Sequence, residues 1–177
     1  VLSPLYGEVG DGGLSVLAMA NGDFETFSSY TNSPAEISSW GVSIGAQTKI
    51  FGNFDLSANY TKSKLEFEQS LYPDFRTNWN TPEHKIKAQF GNTELFKNFG
   101  FYIAWRYWSE YLWQASFGDG MVPETHVIDA QFNLTVPKWK STIKVGATNL
   151  GGEEYFTAFG SGFIGTQYYI SWTANNF

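Results

Sequence analysis

From Trp40 to the carboxy terminus, apolar and polar side chains alternate one for one in segment after segment. A period of two admits only extended strands with unlike faces, because successive side chains of a strand leave on opposite sides. Trp40, Val42, Ile44, Ala46 and Ile50 alternate with Ser43, Gly45, Gln47 and Lys49. Phe54, Leu56, Ala58 and Tyr60 alternate with Asp55, Ser57 and Asn59, and Ile86, Ala88 and Phe90 with Lys85, Lys87 and Gln89. Phe99, Phe101, Ile103, Trp105 and Tyr107 oppose Gly100, Tyr102, Ala104, Arg106, Trp108 and Glu110. Ile128, Ala130, Phe132, Leu134 and Val136 oppose Asp129, Gln131, Asn133 and Thr135. Ile143, Val145 and Ala147 oppose Thr142, Lys144 and Thr148, and Tyr168, Ile170, Trp172 and Ala174 oppose Gln167, Tyr169, Ser171 and Thr173. Seven strands are predicted, and the fold class is all-β.

Two architectures satisfy such a pattern: a soluble β-sandwich, with the apolar faces interlocked, and an antiparallel transmembrane β-barrel, with them turned to lipid. Connection lengths favour the barrel. Phe51 to Asn53, Glu94 to Asn98 and Pro137 to Trp139 are tight, whereas Leu65 to Glu83, Gln114 to Thr125 and Leu150 to Gly165 are long. Short turns at one end and long loops at the other are the pattern of outer-membrane barrels. Trp40, Trp105, Tyr107, Tyr168 and Trp172 fit interfacial girdles. The absence of any apolar run of ~20 residues excludes a membrane helix but not a membrane strand, which needs only alternate apolar residues.

A barrel cannot stop at seven strands, since an unclosed edge in lipid leaves backbone groups unpaired. The expectation is the last strands of a larger barrel, occupying residues 37–177, preceded by an extracellular loop region over residues 1–36. That region is dense in Gly, Asn, Ser and Pro, and its apolar stretch Leu14 to Ala20 is expected to pack on neighbouring loops as a small helix or turn. The opening VLSPLYGEV does not resemble an export signal, so an exported protein would have its true start upstream.

Other chemistries fail their context tests. A net charge of -6 with scattered cations argues against nucleic acid, and zero cysteines exclude disulfides and thiolate metal sites. Gly160, Gly162 and Gly165 spell G-x-G-x-x-G but precede a predicted strand rather than a helix, so they read as loop glycines and not as a nucleotide site. His84 and His126 lie on different strands without ligand spacing, Glu153 and Glu154 point apart in a loop, and no nucleophile elbow or triad spacing occurs. No catalytic residue, cofactor or metal ligand is predicted.

The stretches NTPEHKIKAQFGNTELFKNFGFYIAWRYW and ETHVIDAQFNLTVPKWKSTIKVGATNLGGEEYFTAFGSGFIGTQYYISWTANNF resemble the carboxy-terminal strands of TonB-dependent outer-membrane receptors, particularly the SusC-like receptors of Bacteroidetes. The resemblance is carried by Thr81-Pro82-Glu83-His84-Lys85, Val127-Ile128-Asp129-Ala130-Gln131, Val145-Gly146-Ala147-Thr148-Asn149-Leu150 with Tyr155 after it, and the terminal aromatic. It implies a barrel of about 22 strands around a plug, importing a nutrient such as a glycan or peptide with energy from the TonB complex. It also implies a SusD-like surface lipoprotein as partner, outer-membrane lipid around the strands, and Phe177 as the signal to the barrel assembly machinery. Phe177 departs from the pattern, falling in parity with Tyr169, Ser171 and Thr173 unless a bulge intervenes.

On this reading Lys49, Asp55, Lys85, Lys87, Arg106, Glu110, Asp129 and Lys144 face the lumen. Solute or plug contacts are expected from Arg106, Trp108, Glu110, Trp113 and the loop from Glu153 to Phe163, including Glu154. Two other functions fit the same residues: a receptor-derived scaffold or passive pore in the envelope, and a soluble carbohydrate-binding sandwich.

Overall fold

A computed structural model describes residues 2–4, 28–30, 35–73, 75–115 and 118–174. The chain divides into two units, Val1–Ile37 with Phe67–Thr77, and Ser38–Glu66 with Asn78–Phe177. In the first, β1 (Leu2–Pro4) pairs antiparallel with β2 (Ser28–Tyr30). A 3-10 turn at Gln69–Leu71 is held by Gln69, whose Nε2 donates to the carbonyls of Tyr72 and Phe75 at 2.9 and 3.0 Å. Phe67 stacks over Tyr72 and against Phe75. The stretch Leu14 to Ala20 and Phe177 lie outside the described residues.

The second unit contains a seven-stranded antiparallel sheet made of β3 (Ser38–Ile50), β4 (Phe54–Glu66), β5 (His84–Phe96), β6 (Phe99–Trp108), β9 (Thr125–Val136), β10 (Ser141–Thr148) and β11 (Gln167–Ala174). Their spatial order is their chain order, with β3 and β11 as the edges. These are the seven alternating segments. Between β6 and β9 the chain builds a separate hairpin, β7 (Tyr111–Ala115) with β8 (Gly118–Val122).

Register makes the two faces continuous. Directly paired residues share a face, and the pairs Ile44 with Tyr60, Tyr60 with Ile86 and Ile86 with Tyr107 carry the apolar face from β3 to β6. Phe101 with Phe132, Phe132 with Val145 and Val145 with Ile170 carry it to β11. Aromatic pairs reinforce it, with Phe54 stacked on Phe90 at 5.4 Å and Phe99 on Phe132 at 5.8 Å. This face is bare: Ile44 is 70%, Phe132 54% and Ile170 76% exposed. Ile128 is exposed as well and Ile143 half-buried, so the residues that a sandwich would interlock are not in a core.

Strands of one direction end in tight turns at 51–53, 97–98 and 137–140, and at their other ends the strands are joined by the longer connections 67–83, 109–124 and 149–166. Phe51 and Gly52 take φ of 47° and 91°, left-handed values that let the chain reverse between Ile50 and its partner Phe54. Rings cap the apolar face at both ends. Trp40, Trp105, Tyr107 and Tyr168 stand toward the loop end, whereas Trp172, like the exposed Phe96 and Trp139, lies toward the turn end.

Three expectations are corrected. The segment Gln114 to Thr125 is not a plain loop, because β8 lies in its middle. β5 runs through Glu94 to Phe96, with its register shifted by a bulge after Asn92, so the turn there is shorter than read. Glu110 is not on β6, which ends at Trp108. Ser109 breaks the alternation by closing against β5, its N–H donating to the His84 carbonyl at 3.0 Å and its hydroxyl accepting from the His84 N–H at 3.1 Å.

Candidate functional site

At the loop end, the polar face carries what little closed core the sheet has. Val122 and Val127 are fully buried, and Trp108 meets Tyr155 edge-on at 5.4 Å. Asn149 builds the connection between β10 and β11. It is 2% exposed and takes a φ of 54°, a left-handed value that asparagine tolerates. Its amide donates to the Glu153 carbonyl at 2.7 Å and the Ile164 carbonyl at 3.3 Å, while its own carbonyl accepts from Thr166 at 2.6 Å. Tyr155 and Ile164 then close a bridge across that loop. The Asn149 N–H donates at 3.1 Å to Asp129, the same carboxylate that holds Arg106 Nη2 at 2.9 Å.

The hairpin is tied to both neighbouring loops. Asn80 offers its side-chain amide as a strand would offer backbone, accepting from Gln114 N–H at 2.7 Å and donating to Gln114 O at 2.9 Å. The Tyr111 hydroxyl donates to the Thr157 carbonyl at 2.7 Å, and burial pushes its phenol pKa up, keeping it a neutral donor. The Phe159 ring approaches Gly120 so closely that a Cβ there would sit 2.2 Å from it. Only glycine allows that approach.

Between β4–β6 and this hairpin opens a cleft of about 470 Å³. Its walls are Asn59, Thr61, Lys85, Lys87, Arg106 and Trp108 from the polar face, with Ile86 and Tyr107 at its margin, and Asn80, Pro82, Tyr111, Trp113 and Thr157 from the loops. Arg106, Trp108 and Trp113, three of the residues expected to make solute or plug contacts, all line it. Glu110, Glu153, Glu154 and Phe163 do not line it; all four are exposed, and Phe163 packs edge-on against Phe156 at 5.5 Å. Among the described residues, Trp108 Nε1, Trp113 Nε1 and Arg106 Nε are buried without a hydrogen-bond partner. A second hollow of about 450 Å³ lies nearer the turn end on the polar face, where Gln47, Gln89, Gln131 and Asn133 give it an amide-rich floor.

Asn80 and Tyr111 were missed because nothing in their local sequence announces a pairing with residues more than thirty positions away. Lys85 and Lys87 were legible as polar-face charges, but their place beside Arg106 follows only from register. Gly160 to Gly165 runs into β11, a strand, with no helix for a phosphate to meet. No three His, Asp or Glu side chains converge as a metal site among the described residues.

In three dimensions the chain is similar to the siderophore receptor PiuA from Acinetobacter baumannii, with a TM-score of 0.57 and 18% identity over 79% of this chain and 20% of that one. The likeness is one of fold, an antiparallel strand arrangement shared over that stretch. The chain spans about a fifth of that receptor's length. No family model and no curated protein matches the sequence.

Proposed function

We propose that the chain forms the carboxy-terminal strands of a TonB-dependent, SusC-like receptor in the outer membrane, which imports a nutrient through a plugged barrel of about 22 strands. The observation that carries this reading is the sheet itself. One apolar face runs across seven strands, among the described residues without a layer of side chains to bury it, and ring-bearing residues mark both of its margins. In water such a face is an aggregation surface. In a bilayer it is the outside of a barrel, with the polar face toward the lumen. The edges β3 and β11 then require further strands, because unpaired backbone groups in lipid cost several kcal/mol each. The SusC-like assignment rests on the motifs from Thr81 to Lys85 and from Val145 to Leu150, and it brings with it a TonB complex, a SusD-like lipoprotein lid and the barrel assembly machinery as partners.

Membrane fractionation and uptake test it together. The protein should need detergent for release, migrate faster unheated than heated in gels, and support nutrient uptake that stops when TonB is deleted. Recovery from the soluble fraction overturns the barrel, and uptake or assembly indifferent to TonB points instead to a pore or scaffold.

A further inference from the structure

The cleft holds an arrangement that a sheet does not adopt for its own stability. Lys85 and Lys87 share one face of β5, and Arg106 on β6 is the direct cross-strand partner of Lys87. Like charges placed directly opposite destabilise a sheet, and neither flank relieves them: the β4 partners of Lys85 and Lys87 are Thr61 and Asn59. Asp129 neutralises Arg106 at 2.9 Å, but among the described residues neither lysine has a carboxylate within 4 Å. Among the described residues no acidic side chain lines the cleft, although the chain as a whole carries -6. Trp108 stands directly across from Lys85, and Trp113 faces the same space from the hairpin. A recess walled by one sign of charge concentrates counter-ions of the other, and aromatic walls with a few placed polar groups are the usual make-up of a small-molecule site.

We infer that this cleft binds a small anionic solute, a carboxylate or phosphate ester carrying a ring, with its acid groups at Lys85 and Lys87 and its ring against Trp108 and Trp113. The inference rests on the receptor reading, to which it adds the substrate's charge and shape. It is tested by titrating the intact protein in detergent micelles with pyranine, a planar trianion, and with proflavine, a planar cation, following dye anisotropy. Pyranine should bind. The double variant Lys85→Gln/Lys87→Gln should weaken it about tenfold, or about 1.4 kcal/mol, Lys85→Arg/Lys87→Arg should retain it, and added salt should weaken it. Heat-modifiable gel migration reports that each variant is folded. Pyranine binding that ignores the lysines, or proflavine binding as tight as pyranine's, overturns the inference. Because dye binding is read on purified protein, a TonB-independent uptake result with lysine-dependent binding intact removes the transport reading alone. Lysine-independent binding with TonB-dependent uptake intact removes this inference alone.

Discussion

Ile44 and Ser43 are neighbours on one strand, and replacing each in turn with arginine separates lipid from water. Ile44 is the middle residue of the 13 in β3. At ~3.3 Å per residue the strand is ~43 Å long, and at a tilt of ~40° it rises ~33 Å, enough to cross an apolar band of ~25 Å with Ile44 near the midplane. Its paired neighbour on that face is Tyr60, and its side chain is 70% exposed, so little protein packing is lost on replacement. In lipid, Ile44→Arg should cost about 2–4 kcal/mol, a factor of about 30 to 700 in the folding equilibrium. Ser43 faces the other way, where its hydroxyl lies 2.8 Å from that of Thr61. Ser43→Arg forfeits that hydrogen bond, about 1 kcal/mol, and leaves the guanidinium hydrated. Urea titration of the protein refolded into phospholipid vesicles, followed by tryptophan emission, measures both. A harmless Ile44→Arg, or a Ser43→Arg that is the worse of the two, refutes the assignment of the faces.

Three further outcomes follow from the loop end. Asn149→Ala should cost about 1–3 kcal/mol by taking from the Glu153 carbonyl its 2.7 Å donor and leaving the Ile164 carbonyl with the Tyr155 N–H alone, seen as faster hydrogen exchange over 150–165 with the strands unchanged. Gly120→Ala should loosen the contact between β8 and the Phe159 loop, and Phe159→Ala should largely absorb the damage, since the nearest atoms to the new Cβ are all in that ring; a double-mutant cycle showing no coupling contradicts this. The raised pKa of Tyr111 means that its phenol holds the proton more tightly when folded. The stabilisation is therefore full below the unfolded value of ~10 and falls as pH rises through the folded value. Tyr111→Phe should lose part of the alkaline decline of hairpin protection, and an unchanged profile counts against the burial of the Tyr111 phenol.

Some features were open to reading because they are local. Side-chain parity is fixed by the backbone within a strand, so Trp40 to Ile50 or His126 to Val136 display their two faces without any partner, and the tight reversals at Phe51 and Asn98 show where the strands stop. Parity also placed Arg106 and Trp108 on the polar side. It did not place Lys62 and Lys64, which follow Tyr60 onto the apolar face and stay tolerable there because they lie at the loop end. There Lys62 sits over the Trp40 ring at 5.7 Å, and Trp40 Nε1 donates to Glu66 at 3.0 Å.

The rest belongs to relations across the chain. Tyr111 to Val122 contains Gly118 and Gly120, so its local alternation is weak; the hairpin forms because it is anchored by Asn80 on one side and by Thr157 and Phe159 on the other. The crowding of Lys85, Lys87 and Arg106 is a property of the β5–β6 register alone, and Asn149 becomes a hub only when β9 brings Asp129 beside it. Alternation is decided by each peptide unit for itself, whereas register and loop docking are decided by contacts between residues that only the closed chain brings within reach.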